Sequence, residues 1–74
     1  MTENKLGKVL KEMYENAPHG EKVVNAHLFG VKYASVILDN NYKVTEIIHA
    51  SGLKQSYEVE VSTGIKLAKY VIPR

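Results

Sequence analysis

The chain has 74 residues, a formal net charge of +2, 45% hydrophobic and 24% charged residues, and no cysteine. This length makes one domain spanning residues 1–74, and the composition is that of a globular protein rather than a disordered one. It excludes a disulfide framework and a thiolate metal site, and +2 is too mild to demand a polyanionic partner.

The first twenty residues carry charges every few positions, which fits neither a signal peptide nor a membrane span. Uncharged apolar stretches such as residues 34–38 are far too short to cross a bilayer. The expectation is a soluble cytoplasmic protein with no membrane association. After Glu60 there is no further acidic residue, while Lys66, Lys69 and Arg74 follow, so the C-terminal stretch is locally basic.

Thr2 can cap a first helix whose opening turn holds Glu3. Leu6, Val9, Leu10, Met13 and Ala17 then recur at three- and four-residue spacing, and Pro18 sets the end near Asn16. Residues 21–24 read as a short extended piece, with Asn25 as the cap of a second helix. Leu28, Val31, Ala34, Ser35 and Leu38 form one stripe of that helix, widened by Phe29, Tyr33, Val36 and Ile37. Gly30 inside it costs about 1 kcal/mol relative to alanine, a cost that close packing against another helix would offset. Asp39, Asn40 and Asn41 signal the turn that ends it.

A short third helix lies within residues 45–51, with Thr45 as its cap and Gly52 as the left-handed residue that stops it. Ser56 can cap a final apolar-periodic run ending at Pro73. The fold class is all-α, a compact bundle of four helices. A competing pattern runs through the last segment: Tyr57, Val59 and Val61 alternate with Glu58, Glu60 and Ser62, which is strand periodicity. Residues 62–64 would then be a hairpin loop, and residues 57–72 a C-terminal β-hairpin, the wing of a winged helix.

The stretch Val44-Thr45-Glu46-Ile47-Ile48-His49-Ala50-Ser51-Gly52-Leu53-Lys54-Gln55-Ser56 resembles the helix-turn-helix superfamily: a short helix, a turn glycine and the start of a second helix. Leu53 would plug the turn onto the core. Two positions depart from the family pattern. Ile48 replaces a usual small residue, which opens the angle between the helices, and Glu58 stands where a core residue is expected, which shifts that role to Tyr57. The longer pattern His27-Leu28-Phe29-Gly30, Lys32-Tyr33 and residues 64–71 looks like small bacterial helix-turn-helix-like proteins.

The resemblance implies that the helix around residues 55–70 contacts duplex DNA, in a protein that would act as a regulator. On a helix, Tyr57, Val61, Gly64, Ala68 and Val71 share one side, with Ile65 and Leu67 at its margins. Gln55, Val59, Ser62, Lys66 and Tyr70 take the other, flanked by Thr63 and Lys69. The candidate DNA-binding residues are therefore Gln55, Ser62, Thr63, Lys66 and Lys69. Glutamine can pair adenine, and lysines hold phosphates. A chain this small makes few contacts, so sequence specificity calls for a homodimer on two half-sites. The alternative is a protein-interaction module on the same scaffold, docking through the second helix or through Val59 and Tyr70.

Nothing in the sequence suggests an enzyme, a metal site or a cofactor. His19, His27 and His49 lack metal-ligand spacing, and the five glycines form no phosphate loop. Glu58 and Glu60 point to different sides of a helix and cannot act as a paired acid and base. His27 reads as a residue near the core with one ring nitrogen hydrogen-bonded.

Overall fold

The computed structural model describes residues 1–71, and its elements are four α-helices: α1 (Glu3–Glu15), α2 (Lys22–Asp39), α3 (Val44–Ser51) and α4 (Tyr57–Leu67). No strand occurs among the described residues, so the C-terminal β-hairpin of the winged-helix alternative is not present. Pro73, the expected end of the last run, lies outside the described residues.

Thr2 caps α1 as its sequence position predicts, its hydroxyl accepting from the Lys5 amide at 3.1 Å. The other end of α1 explains why α2 begins earlier than expected. The last carbonyls of a helix have no partner within it. Here Lys22 Nζ donates to the Tyr14 carbonyl at 2.9 Å, and Asn25 Nδ2 donates to that of Met13 at 2.8 Å. Asn25 is thus occupied in closing α1 and does not cap α2, and residues 22–24 are helical rather than extended.

The core is built on Leu6 and Leu10 of α1, Ala26, Phe29 and Ile37 of α2, Ile47 and Ile48 of α3, and Val61 of α4. The expected α2 stripe is therefore turned relative to the one observed. Ala34 and Val31 are buried, but Leu28, Ser35 and Leu38 face outward, and Phe29 with Ile37 forms the inner side. Apolar residues surround most of α2, so periodicity alone does not fix which side meets the core.

The helices pack in two tight pairs, α1 with α3 and α2 with α4, and glycines set both contacts. A Cβ on Gly7 would stand 2.6 Å from the Ala50 Cβ, so α1 needs a hydrogen there to approach α3. A Cβ on Gly30 would meet the Val61 carbonyl oxygen and lie 3.0 Å from the Gly64 Cα. Gly30 therefore pays for close packing, as its place inside the helix suggested.

Candidate nucleic-acid interface

The turn between α3 and α4 is held by Ser51 and Gly52. Gly52 has φ +77°, the left-handed conformation that glycine adopts without strain. Ser51, 3% exposed, donates from Oγ to the Ile48 carbonyl at 2.6 Å and accepts from the Leu53 amide at 3.1 Å. Sequence reading passed over Ser51. Its place directly before a turn glycine is the signal that could have marked it. Leu53 packs against the core as expected of a turn plug.

Two expected caps are not made. Helix α3 starts at Val44, before Thr45, and the Lys43 amide at its N-cap donates to the Glu3 carboxylate at 2.7 Å. The cap thus comes from α1 rather than from the neighbouring threonine. Ser56 occupies the N-cap of α4 in a helical conformation and makes no side-chain capping bond. Backbone bonds from Tyr57 to Lys54 and from Glu58 to Gln55 wind that turn tightly instead.

The two departures from the family pattern have structural counterparts. Ile48 is fully buried, and α3 and α4 touch each other sparsely while each packs chiefly on an older helix of the chain. Tyr57 takes up a half-buried place against the core, its ring edge-to-face with Tyr14 at 5.2 Å and 84°. Its hydroxyl donates to the Tyr14 hydroxyl at 3.2 Å. That hydrogen bond, followed by burial and the nearby charges, raises the Tyr57 pKa above the ordinary tyrosine value.

Helix α4 divides nearly as its periodicity predicts. Val61 and Gly64 are buried, with Tyr57, Ile65 and Ala68 half-buried. Gln55, Val59, Thr63, Lys66, Lys69 and Tyr70 are exposed and Ser62 is half-buried. Val71 was expected on the inner side, but the helix stops at Leu67 and Val71 is exposed beyond it.

The candidate residues fall into two groups. Ser62, Lys66 and Lys69 converge on an open cleft of about 500 Å³, whose other wall is Ala34, Ser35 and Leu38 of α2, with Ile65 and Ala68 completing it. Gln55 sits apart, in the turn before α4, and Thr63 does not line the cleft. Glu60, which as a free carboxylate would repel phosphate, is instead 2.5 Å from His27 Nε2 on α2. His27 is half-buried with that ring nitrogen bonded, as its sequence position suggested. Among the described residues no group of three or more His, Cys, Asp or Glu side chains could hold a metal ion, and no helix is long and apolar enough to cross a membrane.

A short helix, a glycine turn and a second helix with an exposed polar side, mounted on two supporting helices, define a helix-turn-helix type of protein. The chain belongs to the HTH-like domain family, whose model matches residues 2–74. No curated protein and no solved structure gives a significant match.

Proposed function

We propose that the chain is a small cytoplasmic DNA-associated protein, not an enzyme, that meets duplex DNA with α4 and the residues around it. The observation that carries this reading is the grouping of Ser62, Lys66 and Lys69 along one edge of the second helix of the unit and the turn after it. Membership of the HTH-like family supports it. Lys66 and Lys69 would hold phosphates, while Gln55 and Thr63, exposed elsewhere on the same segment, are free to reach base edges.

Two phosphate-holding lysines imply weak binding with a salt slope of about −2 in log K against log salt, since each phosphate contact contributes about −0.9. The test is fluorescence anisotropy on a mixed-sequence duplex over a series of salt concentrations. Micromolar affinity at low salt with that slope is the expected result, and Lys66→Ala should reduce the slope by about 1. An absence of binding at low salt overturns the proposal.

A second reading, a protein-interaction module, draws on Val59 and Tyr70, which are 66% and 82% exposed on the same helix and the turn after it. It expects a partner bound with little dependence on salt.

A further inference from the structure

Helix α2 carries a second apolar side that its own chain leaves largely uncovered. Val24, Leu28, Val31, Ser35 and Leu38 are spaced four, three, four and three residues apart, the spacing of a seam along which another helix can lie. None of the five is charged. Val31 is buried at the centre, while Val24, Leu28 and Leu38 are 48%, 49% and 59% exposed.

The seam is unequal on the two sides of Val31. Three residues before it, Leu28 projects from the surface. Four residues after it, on the same flank of the helix as Leu28, Ser35 lines the open cleft, with Leu38 and Ile65 around the same space. A projection and a recess on one flank, nearly equally far from one centre, match each other when a copy of the helix is turned end for end. We propose that this face is the interface of an antiparallel homodimer, in which Leu28 of each copy enters the cleft at Ser35 of the other.

Symmetry is what singles out a second copy over an unrelated partner. A two-fold contact uses the same patch on both molecules, so one chain must carry both the projection and the recess. Lys32, at mid-seam on the far edge, has its ammonium 5.6 Å from the Tyr33 ring centroid, directed away from the seam. An 18-residue helix is about 27 Å long, and with the α4 wall of the cleft it offers roughly 600 Å² per copy, the low end of a specific interface. The pair is therefore one that forms in the micromolar range.

Because Lys66 and Lys69 border both this interface and the proposed DNA edge, the dimer is measured without DNA and stands or falls by itself. Sedimentation equilibrium of the whole chain up to about 0.1 mM should show a monomer–dimer equilibrium. Leu28→Glu should abolish it while the far-ultraviolet circular dichroism stays helical, and Ser35→Leu, which fills the recess, should weaken it about tenfold or more. Orientation is read by oxidative cross-linking, since the chain has no cysteine of its own. An equal mixture of Leu28→Cys and Ser35→Cys chains should give a covalent heterodimer. Neither variant should link to itself, the like positions being about 9 and 12 Å apart along the axis. A wild-type chain that stays monomeric at the highest concentration, or a Leu28→Glu chain that still dimerises, overturns the proposal. Self-linking of each variant without the mixed product overturns the antiparallel arrangement.

Discussion

Replacing Gly64 with alanine sets two well-calibrated effects against each other. Helix propensity favours the variant by about 1 kcal/mol, since alanine is the best helix former and Gly64 lies inside α4. Packing opposes it. The added Cβ would meet the His27 carbonyl oxygen and stand 3.0 Å from both the Gly30 Cα and the His27 carbonyl carbon. All three are backbone atoms of α2, so no rotamer change relieves the contact and the helices themselves must move apart. Overpacking of this kind costs about 1–3 kcal/mol, and a clash with backbone on all sides belongs at or above the top of that range. The net expectation is a loss of about 2 kcal/mol, out of a total stability of about 4–11 kcal/mol for a chain of this length. In a thermal melt followed by circular dichroism that is a fall in Tm of roughly 8–16 °C. A Tm unchanged or raised would mean that propensity wins and that α2 and α4 do not cross as closely as described.

Other substitutions probe the remaining joints. Gly52→Ala, at φ +77° with nothing within 4 Å of the new Cβ, should cost about 1–2 kcal/mol of conformational strain alone, read by urea denaturation. His27→Ala and Glu60→Gln, combined in a double-mutant cycle, should give a coupling of at most about 1 kcal/mol, because both side chains are about a third exposed, and it should shrink with salt. Tyr57→Phe should cost about 1 kcal/mol at neutral pH through the lost hydrogen bond to Tyr14. Since folding raises the Tyr57 pKa, its contribution is complete below the ordinary tyrosine range and is lost as pH climbs through the folded value. The variant's stability should then decline less steeply than the parent's in alkaline denaturation.

Much of the architecture was legible because local signals and packing agree. The Thr2 cap, the Gly52 stop and the inner side of α4 at Val61 and Gly64 all stand where capping rules and periodicity put them. Misreadings arose where a side chain serves a distant segment. Asn25 looked like a cap, but its amide closes α1 twelve residues earlier. Thr45 looked like the cap of α3, but a carboxylate from α1 reaches its first turn. Glu60 read as an unpartnered carboxylate beside Glu58, yet it is held by a histidine thirty-three residues away. A single sequence carries no mark of such pairings. The phase of α2 was hidden for another reason: with apolar residues on nearly every side, only the neighbours decide which are covered.

Helix α4 is positioned mainly by α2, through glycines on both sides of their crossing, and only lightly by α3 across the turn. In a helix-turn-helix unit built the usual way, the first helix and the turn aim the second. Here Ile48 is buried where the family pattern has a smaller residue, and the close approach that fixes α4 is made to α2, at Gly30 and Gly64. The exposed side of α4 and the outer seam of α2 are thus joined by direct backbone approach at Gly30 and Gly64, with the cleft between them. Any partner that grips α2, a second copy included, therefore fixes the spacing and direction of α4 directly, without relying on the turn.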